Sequence, residues 1–383
     1  MRICHLLETS GGGSGQVVLD LVEAGLRYGD EIVLFFSPDR AEPHFLRAVR
    51  RLSEQRVRVH TLPMRRAVGP YDAVSLLRLM RRLCFLGPID VIHSHSSKAG
   101  ALARLAGFCA PKAVQIYTPH AFVTMAPDAP RLYGKIEHWL SWLCDGLICV
   151  SAAEAEHAQN ELGIAPSRLF VVPNGVKPFP DGARGEARAQ LGFEEDAIVV
   201  GFVGRLTPQK NPARALAAFA AQAARDPLLR LAIVGNGPLL SVAKRQVAEA
   251  GLESRVRFFE GRPARDFIPG FDCLLCGSDY EGFPLVFLEA LAAGVPIVTT
   301  PVGGTAEAVH AGATGFIADA FSDAALGAAL GAFLACDEPA RRAMGQEALA
   351  LSREFSVDAM AQKVREVYAT CWSRRLRKKK RSL

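Results

Sequence analysis

Two carboxylates, Glu281 and Glu289, stand eight residues apart in Asp279-Tyr280-Glu281-Gly282-Phe283-Pro284-Leu285-Val286-Phe287-Leu288-Glu289. The stretch follows an apolar run, Phe271 to Cys276, that reads as a buried strand. It enters an apolar segment, Leu285 to Ala293, that reads as a buried helix. Pro284 is tolerated in a first helical turn, so the helix is expected to start there. Backbone N–H groups without helical partners at such a start bind anions, and Gly282 admits a ligand close to the backbone. Eight helical steps would span about 12 Å. Carboxylates that far apart cannot share one proton or flank one bond. They can hold the two ends of a hydroxyl-rich ligand whose phosphates lie between them, which is the shape of a nucleotide sugar. The plain alternative is a solvated Glu281 and an incidental Glu289. It is weak for Glu289, because a carboxylate in an apolar helix needs a partner.

A second set lies upstream. Arg205-Leu206-Thr207-Pro208-Gln209-Lys210 follows directly on the apolar run Ala197 to Gly204. Two cations at a strand end and before a helix suit a diphosphate, since Arg forks across two oxygens and Lys acts as a point charge. Solvated surface cations are the bland reading.

Together these segments resemble a known family. Glu281 and Glu289, with Gly-Phe-Pro-Leu between them, are similar to the E-x7-E motif of retaining glycosyltransferases of family four, of the bacterial surface-polysaccharide type. Gly204-Arg205 through Lys210 resembles the same family's G-R-x-x-x-x-K pattern, and the resemblance runs over nearly the whole chain. It implies an α/β chain of the GT-B fold: two Rossmann-like doubly wound domains facing a cleft, with a C-terminal helix crossing back to the N-lobe. It implies transfer of a hexosyl group from a nucleoside-diphosphate sugar to an acceptor hydroxyl with retention. Arg205 and Lys210 would stabilise the leaving phosphate, with Glu281 on the sugar hydroxyls and Glu289 on the ribose. Gly282, Phe283, Pro284 and Leu285 would line the donor, and Gly235 and Asn236 the nucleotide side. Arg262 would pass the base, chiefly through its backbone. Tyr117-Thr118-Pro119-His120 resembles the family segment whose histidine approaches sugar and acceptor. Gly12 and Gly13 fall in the first loop, near the acceptor and donor phosphate. No Asp-x-Asp motif accompanies the phosphate residues, so no metal and no cofactor is expected; the cations would replace a divalent ion.

The elements that must position these residues alternate. Strand-like runs at Arg2–Glu8, Ile32–Phe36, Val57–Leu62, Asp90–His93, Ala113–Tyr117, Leu147–Val150 and Leu169–Val172 are separated by helix-like ones, and the pattern restarts at Ala197. Such alternation argues parallel sheets covered by helices on both faces, with ligands beyond the carboxyl ends of the strands. Gly11 to Gly15 precedes a helical pattern from Val17 to Tyr28; Gln16 stands where a dinucleotide fingerprint needs glycine, so an oxidoreductase reading is poor. His93-Ser94-His95 lacks an evident third ligand, so a metal site is not expected; His95 either faces the site or serves in capping or packing. Val123 to Arg131, rich in proline, reads as a mobile acceptor loop. Pro178 to Gly185 reads as the domain boundary. The expected division is an acceptor-binding domain over 1–177, a nucleotide-sugar domain over 186–355, a crossover helix over 356–373 and a basic tail over 374–383.

Composition adds limits. The chain has 383 residues, half of them hydrophobic, and no apolar run as long as a membrane span. Nine cysteines without an export signal fit reduced thiols and a cytoplasmic protein. Cys273 and Cys276 sit in a strand and should face opposite sides, so packing is favoured over metal. The net charge of +6 is uneven: residues 374–381 carry seven Lys or Arg, and residues 40–104 carry thirteen against four Asp or Glu. The tail lacks an apolar pattern and is expected to be disordered. A basic N-lobe and tail suggest a lipid-linked acceptor and peripheral association with an anionic inner membrane face, without nucleic acid as partner. A sugar-nucleotide epimerase of the same fold and a non-catalytic binding protein are the alternatives; an acceptor requirement separates the first, donor hydrolysis the second.

Overall fold

The computed structural model describes residues 1–65 and 67–381; Arg66, residues 382–383, and the side chains of Arg40 and of residues 378–381 lie outside the described residues. The chain divides into two compact units, Met1–Gly175 with Val357–Leu383, and Val176–Ser356. The change of unit falls at Gly175, a few residues before the Pro178–Gly185 stretch.

The first unit holds a seven-stranded sheet: β1 Arg2–Leu7, β2 Glu31–Phe36, β3 Arg58–Thr61, β4 Val91–His95, β5 Val114–Thr118, β6 Gly146–Cys149 and β7 Leu169–Val171. Its order is β3-β2-β1-β4-β5-β6-β7, all parallel. Helices α1 Gly13–Arg27, α2 Pro43–Glu54, α3 Tyr71–Phe85, α4 Ser97–Ala106, α5 Arg131–Ser141 and α6 Ala152–Asn160 connect the strands. The second unit has β8 Ile198–Val203, β9 Leu229–Val234, β10 Val256–Phe259, β11 Cys273–Cys276, β12 Ile297–Thr299 and β13 Gly315–Ile317, in the parallel order β10-β9-β8-β11-β12-β13. Its helices are α7 Ala183–Leu191, α8 Pro212–Ala223, α9 Leu240–Glu249, α10 Leu285–Ala292, α11 Thr305–Ala308, α12 Asp323–Leu334 and α13 Glu338–Ser352. The final helix, α14 Val357–Arg381, belongs to the first unit. These are two doubly wound α/β units, as the alternation predicts.

The central strands are buried on both faces, so they read as continuous apolar runs rather than alternating ones. In each sheet the order reverses next to the first strand, between β1 and β4 and between β8 and β11. Loops leaving the carboxyl ends on either side of such a reversal leave a crevice.

Local differences from the sequence reading have physical causes. α1 starts at Gly13, a turn before the apolar pattern at Val17, with Gly12 at φ +73° before it. A Cβ on Gly15 would lie 2.6 Å from the Ser10 carbonyl oxygen, so the first turn needs glycine to pack there. α10 begins one residue after Pro284, which occupies the extended N-cap position. The Val123–Met125 stretch forms a 3-10 turn, with Thr124 Oγ1 2.8 Å from His157 Nε2. Over its described residues the basic tail is helical rather than disordered: α14 continues unbroken to Arg381. Arg and Lys are good helix formers and cations suit a helix C-terminus. Arg374 donates to Ser167 O, and Arg375 to Ala113 O, Pro111 O and Asp145. All nine cysteines are free, with Cys273 and Cys276 buried in β11.

Candidate active site

In the second unit the loops after β8 and β11 are tied together. Asp279 N–H donates to Gln209 O at 2.8 Å, and the Gln209 side chain donates to Tyr280 O at 3.1 Å. Arg214 grips Gly277 O and Asp279 at 2.8 and 2.6 Å. Asn211 caps α8 by accepting from Arg214 N–H, with Pro212 at the first helical position, which ends the first loop sharply. Lys210 and Glu281 therefore meet, Nζ to Oε1, at 2.5 Å. Their side chains retain 22% and 8% exposure. Burial works to lower the Lys210 pKa, but the Glu281 carboxylate outweighs it, and the ammonium is held above its ordinary value. Arg205, exposed on the same loop, opposes this as a like charge.

The neighbouring turns approach backbone to backbone. Gly235 has φ +152°, and a Cβ there would lie 2.0 Å from Gly204 O. Leu206 N–H donates to Asn236 O at 2.9 Å, while the Asn236 side chain accepts from Gly237 N–H at 2.7 Å. A Cβ on Gly303 would lie 2.3 Å from Glu281 O. Gly282, Phe283 and Pro284 are buried and lead into Leu285, so the N-terminus of α10, which its N-cap side chain does not cap, adjoins the Lys210–Glu281 pair. Cations and helix N–H groups at one strand-end crevice make a place for a diphosphate.

Glu289, on α10, does have the partner its apolar helix demands. Arg265 Nη1 lies 3.8 Å away, while the same guanidinium stacks on Phe179 at 3.9 Å and donates to the carbonyls of Lys177 and Pro178. Sequence reading missed Arg265, which no motif marks. Arg262 points its side chain to Gln190 at 2.5 Å.

The first unit holds a different cluster. His120 sits in a left-handed turn, φ +54°, followed by Ala121 at +83°. Such conformations cost about 1–3 kcal/mol and persist where the surroundings hold them. The holder is Glu154, fully buried on α6: its carboxylate accepts from Ala121 N–H at 2.6 Å and from Val150 N–H at 2.7 Å. His120 Nε2 lies 3.1 Å from His95 Nδ1, and His95 Nε2 lies 3.1 Å from His5 Nδ1. His93 bridges Tyr368 of α14 at 2.7 Å and Thr118 at 2.8 Å. Burial depresses all four imidazoles, His5 and His120 to about 4, so they are neutral near pH 7. His95 is thus a link in a hydrogen-bonded chain rather than a cap.

The expected lack of a third ligand beside His93 and His95 is corrected here. The β1–β4 register sets His5 opposite His93, and ring nitrogens of His5, His93 and His95 lie within 4.8 Å of one another. Three neutral imidazoles are a donor set a transition metal could use. His5 Nδ1 pairs with His95, His95 Nδ1 with His120, and both His93 nitrogens with Tyr368 and Thr118, so five of the six ring nitrogens are already engaged in hydrogen bonds. The adjoining cavity, lined by His93, His95, Thr118, His120 and Met360, measures about 10 Å³, the space of one water. The sequence-named residues therefore fall into two groups. Arg205, Lys210, Glu281 and Gly282 to Leu285 gather in the second unit, which also carries Glu289, Gly235, Asn236 and Arg262; Gly12, Gly13 and His120 lie in the first.

Comparison with known proteins gives the chain its relatives. The family model described as "Glycosyltransferase Family 4" matches residues 11–178, and that described as "Glycosyl transferases group 1" matches residues 183–350. The chain is 31% identical to a D-inositol 3-phosphate glycosyltransferase of Kribbella flavida, over 79% of this chain and 80% of that one. A protein of the same name from Corynebacterium aurimucosum is 29% identical over 94% of this chain and 92% of its own. Among solved structures, Anabaena HepE in complex with UDP and glucose superposes with a TM-score of 0.81 at 21% identity, covering 97% of this chain and all of that one. WaaG, a glycosyltransferase involved in lipopolysaccharide biosynthesis, gives 0.73 at 17% identity, over 96% of this chain and 99% of that one.

Proposed function

This chain belongs to the family-four glycosyltransferases and has their GT-B fold, and from that premise we propose the reaction in finer terms: transfer of a hexosyl group from a nucleoside-diphosphate sugar to an acceptor hydroxyl, with retention at the anomeric carbon. The observation that carries this reading is the Lys210–Glu281 pair, held at the β8/β11 strand ends beside the N-terminus of α10. When the glycosidic bond breaks, negative charge gathers on the β-phosphate. Lys210, Arg205 and the N–H groups at Phe283 and Leu285 stabilise that charge. Without donor, Glu281 neutralises Lys210; an arriving diphosphate takes over the ammonium and leaves Glu281 to accept from sugar hydroxyls. Glu289, steadied by Arg265, accepts from the ribose. His120 offers the acceptor hydroxyl a neutral imidazole in the first unit.

UDP is the favoured nucleotide, because HepE, which shares the fold, is known with UDP and with UDP-glucose. The acceptor we favour is a lipid-linked glycan of surface-polysaccharide synthesis, met at an anionic membrane face. The relatives named for D-inositol 3-phosphate make that phosphorylated polyol the competing acceptor. No helix among the described residues is long and apolar enough to cross a membrane, so a membrane-bound substrate would be reached from the surface. The test is a thermal-shift screen against a panel of nucleotide sugars, followed by transfer assays on a polyprenyl-diphosphate-linked sugar and on D-inositol 3-phosphate. Binding to the native state raises apparent stability with the logarithm of concentration over Kd. Transfer to the polyol alone would overturn the lipid-linked acceptor, and failure of every donor would overturn the reaction.

A further inference from the structure

A surface feature that the proposed reaction does not explain lies on the first unit. α3, α4 and α5 lie side by side on one face of its sheet, with α4 between the other two. The inner stripes of α3 and α5 are buried, through Leu79 and Leu83 on one and Glu137 and Ser141 on the other. Their outer stripes also carry large apolar side chains. Leu77 is 66% exposed and Phe85 81%; on and after α5, Trp139 is 71% and Trp142 66% exposed. The inner stripe of each helix is covered by the sheet side of the unit while these apolar side chains stay exposed, and clustered exposed apolar side chains mark an interaction site.

The charges between these side chains identify the occupant. Six exposed cations stand on residues 67–142, among them Arg78, Arg81, Arg131 and Lys135, and Asp128 is the one exposed acid among the described residues there. Asp72 is paired with Lys98, and Glu137 with Arg104. The basic end of α14 is fixed to the same region: Arg375 donates to Pro111 O, beside exposed Lys112 and Phe108. Interfaces between proteins deplete Lys and charge at their core. A lipid interface takes both components, since tryptophan sits at headgroup depth and Lys or Arg meets anionic lipid.

We propose that the outer face of α3 and α5, extended by the Arg374–Arg377 end of α14, is the surface by which this protein lies on an anionic bilayer. The helices lie in the plane of the headgroups, with Leu77, Trp139 and Trp142 dipping below the phosphates and the cations at phosphate level. The inference deepens the membrane-associated part of the proposed function and rests on it for its occupant.

The experiment is co-sedimentation of the full chain with vesicles of equal parts phosphatidylglycerol and phosphatidylcholine, and with phosphatidylcholine alone. Wild type is compared with Leu77→Ser/Trp139→Ser and with Arg78→Glu/Arg81→Glu, four exposed positions whose change leaves the fold and donor hydrolysis intact. Wild type should sediment with the anionic vesicles only, and each double variant should bind at least about tenfold more weakly. Variants that sediment like a binding wild type would overturn the assignment of the face while leaving membrane association standing. A wild type that ignores anionic vesicles would overturn both, leaving glycosyl transfer to its own assay. A wild type that self-associates, with Leu77→Ser/Trp139→Ser a monomer and vesicle binding unchanged, would replace the bilayer by a second copy and overturn the proposal.

Discussion

Replacing Glu154 by glutamine should remove a pH dependence from the stability of the first unit, alongside the cost of losing one of the two backbone hydrogen bonds that the carboxylate accepts. Burial raises the Glu154 pKa from its ordinary 4.5 to about 7, and the Val150 and Ala121 N–H groups only partly counter it. The folded chain keeps this proton to higher pH than the unfolded one. Its stabilising contribution is therefore full below about 4.5 and is lost as pH rises through about 7. With 1.36 kcal/mol per pKa unit, the loss comes to about 3 kcal/mol. Glutamine does not titrate, so the unfolding free energy of wild type minus Glu154→Gln should fall by that amount between about pH 4.5 and pH 8. Neighbouring groups do not confuse the comparison. Burial, aided by Glu154, pushes the Cys149 thiol and the Tyr117 phenol up, so both stay neutral. The buried histidines, and the half-buried His157, are lowered; their contribution rises with pH below about 6.5, the opposite sense, and is common to both proteins. Urea unfolding followed by tryptophan fluorescence is a suitable assay, because Trp139, Trp142 and Trp372 all belong to the first unit. Parallel pH profiles for the two proteins would refute the reasoning.

The remaining expectations concern catalysis. Lys210→Ala and Arg205→Ala should each lower kcat by orders of magnitude, since one lost electrostatic donor costs about 2.7–4 kcal/mol; a folded variant with wild-type turnover would remove that residue from the site. Glu289→Gln should chiefly raise the donor KM and Glu281→Gln chiefly lower kcat; steady-state kinetics giving equal effects on both constants would count against two roles. Activity should persist in excess EDTA, and complete loss restored by Mg²⁺ or Mn²⁺ would show that the cations do not suffice.

Much of this architecture was legible because it is local. Apolar runs punctuated by glycine turns mark strands buried on both faces, and Glu281 to Glu289 carries its own strand, turn and helix. What was hidden depends on pairs distant in sequence. His5 looks like any residue of an apolar strand until β1 is laid beside β4. Arg265 acquires meaning only when its loop folds back to Glu289. Glu154 belongs to no motif that the sequence marks, yet it is the acceptor that pins the His120 turn. The basic tail looked structureless because its apolar pattern stops, whereas its anchors are backbone carbonyls at 111, 113 and 167.

The return of α14 to the first unit also dictates an order of assembly. The second unit is one continuous stretch, 176–356, and needs no later segment to close. The first unit is made first but finished last. Until the residues from Val357 onward leave the ribosome, His93 waits for Tyr368, Asp30 for Arg365 and Asp145 for Arg375. The usual expectation, that an N-terminal domain folds before its successor, therefore fails for this pair. A chain truncated before Val357 would keep every segment of the second unit but leave the first without α14, with His93 lacking its Tyr368 partner.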